Sequence, residues 1–251
     1  MELKKYNSEL KFVKPDWTGN KLTAEGLYTN IYGDDIKSFG EALRWMRSDN
    51  PLAKLKKNQQ TTLIYQLIEN ISEKTSNAII PLGHASFIVD INGIRLLIDP
   101  VVAPNRFLKR YTKVPFNLSE LNNVDYLLLS HNHRDHIDKN SVKQLTKLNP
   151  DAIILTGLEI GKILKGWGVK NQIQEAGWYQ QYNTSEALAI DYLSSRPWSR
   201  RWLNDTNIQF WGSFTIQDKS TDKTIYFAHD SGYGQHFRDI GSDYEITQPA
   251  N

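Results

Sequence analysis

The chain has 251 residues, 39% of them hydrophobic and 23% charged, with a formal net charge of +2 and no cysteine. That length supports a substantial core without staples. The composition excludes disulfides and thiolate chemistry, confines any metal site to histidine, carboxylate and water, and argues against an electrostatic grip on nucleic acid or an acidic membrane.

Met1 to Lys14 is polar and charged and lacks the apolar core of a signal peptide. No apolar run approaches the roughly 18 residues needed to cross a bilayer. A soluble, cytoplasmic protein is expected, with at most peripheral membrane contact. To about Ser76 the chain is lysine-rich and weakly patterned. There, Asp34 or Asp35 is a candidate cap for a helix through Phe39, Leu43 and Trp45-Met46, which Asn50-Pro51 stops. A second helix is predicted from Thr62 to Ile71.

The pattern changes at Ala78. The runs Ser86–Ile91 and Ile94–Ile98 flank Asn92-Gly93. Both central residues of a type I′ turn need positive φ, which Asn-Gly tolerates best, so a hairpin is predicted. Asp99-Pro100 ends its second strand. A strand follows over Asp125 to Ser130, then a helix carrying Val142, Leu145 and Leu148, capped by Asp138 or Asn140. Asp151 to Thr156 reads as a strand and Glu159 to Lys165 as a short helix stopped by Gly166 and Gly168. Ile173 to Tyr182, Leu188 to Ser194, Asn207 to Gln217 and Thr224 to Ala228 are further strand candidates. An early hairpin, strand–helix alternation and a late run of strands predict sheets layered with helices, an α/β (α+β) architecture.

The chemistry gathers straight after the apolar run Tyr126–Leu129, where His131, His133, Asp135 and His136 spell His-x-His-x-Asp-His. Residues two apart in an extended loop point the same way, so His131 and His133 can reach one metal. Asp135 and His136 are adjacent and point elsewhere, toward a second metal about 3.5–4 Å from the first in typical binuclear sites. Imidazole and carboxylate suit zinc, and also iron or manganese. Asp230 ends the apolar strand Ile225–Ala228, a common place for a site residue.

Ser130 to Asp138 resembles the signature loop of the metallo-β-lactamase fold. More narrowly, the chain resembles bacterial relatives of N-acylphosphatidylethanolamine-hydrolysing phospholipase D. The matching pieces are Trp17-Thr18-Gly19-Asn20, Tyr28-Thr29-Asn30, Leu82 to Phe87, Ile98-Asp99-Pro100, Trp198 to Arg201, Phe210 to Phe214 and Phe227 to Tyr233, in the family's order. The resemblance implies one αββα sandwich over residues 1–251, with 1–76 an N-terminal extension packed on a core of 77–251. It implies two divalent ions in an edge cleft: His131 and His133 on the first, Asp135 and His136 on the second, Asp230 bridging them, and Asp135 helping to orient the nucleophile. Where the family has a histidine before its Trp-Ser-x-Arg piece, this chain has Pro197, and the family's last strands and final ligand histidine are expected to be missing. His84, His229 and His236 are candidate cleft residues or substitute ligands. Arg196, Arg200 and Arg201, interleaved with Trp198 and Trp202, are candidate phosphate contacts. The implied activity is hydrolysis of a phosphodiester, from a small molecule or a phospholipid, by metal-activated hydroxide. A lactone or lactam hydrolase on the same fold, and an impaired member that binds metal or ligand without turnover, stay open. No nucleic-acid partner is expected, and self-association is.

Overall fold

A computed structural model describes residues 3–33, 39–58, 70–75, 77–103, 114, 116–196, 198–202 and 204–247. In chain order its elements begin with β1 (Lys4–Lys5), β2 (Asn20–Lys21), α1 (Phe39–Arg47) and α2 (Ala53–Asn58). There follow β3 (Asn77–Gly83), β4 (Ser86–Ile91), β5 (Ile94–Ile98), β6 (Tyr126–Leu129), α3 (Lys139–Leu148), β7 (Ile153–Gly157), α4 (Ile160–Gly166) and β8 (Ile173–Ala176). The last part holds β9 (Gln180–Gln181), β10 (Leu188–Leu193), β11 (Ser213–Asp218), β12 (Lys223–Phe227) and α5 (Gln235–Asp243). The first helix forms, but Asp34 and Asp35, nearly all of the stretch Thr62 to Ile71, Pro197 and the tail from Gln248 lie outside the described residues.

β3 to β8 form a six-stranded sheet in chain order, and β12-β11-β10-β9 form a four-stranded one. β3, β4 and β5 pair antiparallel, whereas β5, β6, β7 and β8 run parallel. The hairpin turns as its residues predict, with Asn92 and Gly93 at φ 51° and 77°. Alternation along the strands divides the core in two. Val89, Leu96, Ile98, Tyr126, Leu128 and Leu155 face the four-stranded sheet and meet Ile190, Tyr192, Phe214 and Ile216. Their neighbours Ile88, Leu97, Leu127, Leu129 and Ile154 face the other way, onto Val142 and Leu145 of α3 and Ile160 and Leu164 of α4. That is why β6 is buried at every residue.

On the far side of the four-stranded sheet, Tyr244, just beyond α5, donates to Asp191 of β10 (3.0 Å). Tyr226 of β12, in register with Thr215 opposite Asp191, lies 6.2 Å from the Phe237 ring of α5. The layers therefore run α3/α4, six strands, four strands, α5, a metallo-β-lactamase-type αββα sandwich. The N-terminal segment is laced to its edge: the Val13 amide donates to the Tyr179 carbonyl (2.8 Å) and the Trp178 amide to Asn20 Oδ1 (3.0 Å).

Two expected strands differ. Ile173–Tyr182 does not run through as one strand; it turns a corner at Gly177–Tyr179 and splits between the sheets as β8 and β9. Tyr179 takes φ 60°, and a Cβ at Gly177 would lie 2.0 Å from Asn20 Nδ2, so glycine is needed where the N-terminal segment crosses. The strand expected from Asn207 begins only at Ser213, because Asn207 sits at φ 58° in a turn. α3 is capped by Asp138, whose carboxylate accepts from the Ser141 amide (2.8 Å) and hydroxyl (2.9 Å).

Candidate metal centre

The sheet topology brings four chain segments to one edge. β5 runs straight into Asp99 and its parallel neighbour β6 into Ser130, where the histidine loop starts. β12 of the other sheet ends just before His229 and Asp230, and the β3–β4 turn carries His84. The carboxyl ends of parallel strands are where α/β sheets place ligands.

Asp99, which the sequence marks as a strand end and as part of a family-like Asp-Pro but not as a site residue, is the hub. It is fully buried, at φ 39°. Oδ1 accepts from the Ser130 amide (2.8 Å), while Oδ2 accepts from Ser130 Oγ (2.5 Å) and lies 2.7 Å from His136 Nδ1 and 2.9 Å from His229 Nδ1. Burial alone would raise its pKa, but His229 and His136 outweigh it and hold the carboxyl well below its usual range. The signals in the sequence were an acid at the end of a predicted strand and its place in the family-like Ile98-Asp99-Pro100 piece.

The hub sets tautomers. Ser130 Oγ donates to Asp99, so it accepts from His131 Nδ1 (2.8 Å), which leaves the His131 Nε2 lone pair facing outward. Burial first, then the neighbouring His136 and His133, depress the His131 pKa well below 6.5, so it is neutral. His133 Nδ1 meets that nitrogen at 2.9 Å. His136 is anchored through Nδ1 to Asp99 and presents Nε2 to Asp230 Oδ2 at 3.0 Å. Burial opposes its charge, but Asp99 and Asp230 prevail and raise its pKa to about 10. Asp230 in turn is held down to about 2, by its contact with His136 first, against burial, and then by the charges of His136, His131 and His133. Its Oδ2 is 3.9 Å from His131 Nε2.

Ligand atoms of His131, His136 and Asp230 all fall within 4.8 Å of one another, and so do those of His84, Asp135 and His136. Asp135 Oδ2 pairs with His84 Nε2 at 3.1 Å. The structure thus gathers His131, His133, Asp135, His136, Asp230 and His84 in one place, with His136 common to both groups. The donor set fits a divalent ion. His136 Nε2 is buried and, despite its distance to Asp230, makes no hydrogen bond of proper geometry, so it is the atom left for a metal to take once its proton is displaced. His229 forms a third group with Asp99 and His136, and its Nδ1 faces the hub. His236 is not in any of these groups: on α5, its Nε2 is 2.7 Å from Ser231 Oγ.

The arginines divide. Arg201 Nη1 donates to the carbonyls of Asn132 (3.0 Å) and Ile137 (2.8 Å), clamping both ends of the histidine loop. Arg196 donates its amide to Ser231 Oγ (2.9 Å) and an Nη1 proton to the Tyr233 carbonyl (3.4 Å). Arg200 lines a cleft beside His133. The loop is also held from below: the Ser130 carbonyl accepts from Tyr192 Oη (2.7 Å) and from the Gly212 amide (3.2 Å). A Cβ on Gly212 would come within 2.5 Å of the Tyr192 ring and 2.8 Å of the Leu193 carbonyl, which is why the Trp-Gly-Ser piece needs its glycine.

Comparison with known proteins agrees with this fold. A family described as "Beta-lactamase superfamily domain" matches residues 94–247. N-acyl-phosphatidylethanolamine-hydrolyzing phospholipase D 1 of Caenorhabditis elegans is 29% identical over 174 residues, 64% of this chain and 48% of that protein. The mitochondrial phospholipase D of the same description from Saccharomyces cerevisiae is 30% identical over 163 residues, 61% of this chain and 34% of that protein. A UPF0173 metal-dependent hydrolase of Caldivirga maquilingensis is 37% identical over 93 residues, 37% of each chain. The match thus spans about half or less of these curated relatives. Igni18, a metallo hydrolase from Ignicoccus hospitalis, superposes with a TM-score of 0.50 at 22% identity over 66% of each chain, which speaks to fold alone.

Proposed function

Since the chain belongs to the beta-lactamase superfamily domain family, we propose that its edge cluster makes it a metal-dependent hydrolase of phosphodiesters. The observation that carries this reading is the convergence of His131 Nε2, His136 Nε2 and Asp230 Oδ2 within 4.8 Å, two of them on imidazoles whose other nitrogen is tied to the Asp99–Ser130 hub. Fixing the back nitrogen orients the ring and raises its basicity as a ligand. The phospholipase D description of two relatives favours a phosphodiester over a lactam.

His131, His133, His136 and Asp230 would hold the ion, and Asp135 and His84 would line the site beside them. When bound there, a divalent ion supplies a Lewis acid that polarises the phosphoryl oxygen and acidifies a water. Asp135, half-exposed and within 3.1 Å of His84, would orient a water nucleophile and take up its proton, with His84 beside it to share the charge. Asp99 keeps His136 aligned without touching substrate. Arg201 keeps the loop in shape by its two carbonyl contacts.

The test is elemental analysis of protein purified without chelator, followed by turnover of a chromogenic phosphodiester. Stoichiometric zinc, iron or manganese is expected, with turnover lost in Asp135→Ala. Protein that is metal-free and stays inert after each metal is added back would sink the reading.

A further inference from the structure

Beside the ligand cluster, and sharing His133 with it, lies an open cleft of about 420 Å³ lined by His133, Arg134, Trp198, Arg200, Arg201 and Trp202. We propose that this cleft is a subsite for a phosphomonoester group, held by Arg134 and Arg200 between the two tryptophans. It rests on the hydrolase reading for its role in catalysis, though not for its existence.

Three guanidiniums from two separate segments converge here, and none of the described lining residues is acidic. Arg134 comes from the histidine loop, and Arg200 and Arg201 come from the segment before β11. Burial, and next the positive charge of Arg134, lower the Arg201 pKa to about 10, so like charges are packed close enough to repel. An anion seated among them relieves that repulsion, and a dianion with three acceptor oxygens relieves it best. Arginine forks meet the oxygens of phosphate and carboxylate alike in pairs, but a phosphomonoester has three such oxygens to share between two forks where a carboxylate has two.

The tryptophans fix the sign of the ligand. The Arg134 guanidinium sits 4.2 Å from the Trp202 ring centre and that of Arg200 6.0 Å from the Trp198 ring centre. Those faces already carry cations, so a quaternary ammonium would have to displace a guanidinium inside a positive cleft. Both tryptophans remain exposed, Trp198 at 41% and Trp202 at 64%, and offer apolar surface for the carbons next to the phosphate. The Trp198 ring also stands edge-on to His133 at 6.3 Å, so a group in the cleft abuts the ligand cluster. Arg134 occupies a position of the histidine motif that carries no ligand, which gives that position a purpose the metal chemistry does not.

The same group comes from a soluble phosphate ester or from a lipid headgroup, and binding to chelator-treated full chain separates the two. Glycerol 3-phosphate and inorganic phosphate are titrated while tryptophan fluorescence and heat are followed. Vesicles of phosphatidylcholine with and without phosphatidate are tested by co-sedimentation. Saturable, metal-independent binding is expected, weakened about tenfold or more by Arg134→Gln and by Arg200→Gln, each folded by circular dichroism, and weakened again by added salt. Binding to phosphatidate vesicles with no binding of the soluble esters, and the same loss in both variants, supports the subsite with a lipid source. No binding, binding that survives both substitutions, binding that appears only after metal is added, or equal binding to vesicles lacking phosphatidate overturns it. Phosphodiester turnover by metal-loaded protein is scored separately, so an inert protein that still binds the ester loses the hydrolase reading alone.

Discussion

At the scale of single residues the centre depends on one buried carboxylate. Asp99 serves Ser130, His136 and His229 at once, all within 2.9 Å, and its charge is kept by those partners against burial. Asp99→Asn keeps the shape but gives up the charge and one acceptor. A loss of about 10–100-fold in metal affinity is expected, read by competition with a chromogenic chelator; unchanged affinity would remove Asp99 from the site. A second expectation concerns protons. With its pKa raised to about 10, His136 in metal-free protein is doubly protonated at neutral pH. A metal taking Nε2 must displace a proton, so calorimetric binding heats should differ between two buffers of different ionisation enthalpy by about one proton's worth. Because the folded pKa is raised above 6.5, its contribution to stability is fully present below pH 6.5 and is lost as pH rises through about 10. The melting temperature of metal-free protein should therefore fall across that window, and by less in Asp99→Asn.

At the scale of elements, the loop is held in place because each flank is an ordinary structural device. α3 begins directly after the histidine block, and Asp138 satisfies its first turn. Asp138→Ala should cost roughly 0.5–2 kcal/mol in urea unfolding, toward the upper end because the cap is buried. A cost near zero would show that α3 needs no cap. The hairpin is pinned by a fully buried pair: Arg95 Nε and Nη2 each lie 2.8 Å from an Asp90 oxygen. Arg95 also donates to the Glu73 carbonyl (2.8 Å) and to that of Ile71, tying residues 71–75 to the sheet. The hairpin, β6, α3, β7 and α4 were legible in the sequence because turn chemistry, capping and hydrophobic period are local signals. The corner at Gly177–Tyr179 was not, because β-rich composition continues through it. Only the crossing of Asn20 explains why the chain changes sheets there.

At the scale of the whole molecule, the two sheets bring candidate ligands 99 residues apart in sequence, His131 and Asp230, to within 3.9 Å. Any ion that binds this folded arrangement and not the unfolded chain stabilises it by mass action. At a free concentration of about 100 times Kd the gain is roughly 2.7 kcal/mol. Adding zinc to chelator-treated protein should raise its melting temperature by several degrees. No shift with zinc, iron or manganese would mean that the cluster holds no ion. Among the described residues no helix is long and apolar enough to cross a membrane.

By itself the sequence determined the layered α/β class, the hairpin, the histidine block and the family it resembles, because each is written in spacings of a few residues. It also picked out Asp230 and the arginine–tryptophan cluster, but without their partners. Tertiary structure alone decided that Asp99 is the hub, that His84 reaches Asp135, that His236 turns to Ser231 and that Arg201 braces the loop. It also decided that Arg134 meets Trp202 across a cleft. The physical reason is the same throughout. A strand end, a turn and a loop from distant stretches become neighbours only when two sheets pack face to face, and hydrogen-bond partners and charge shifts exist only once they do.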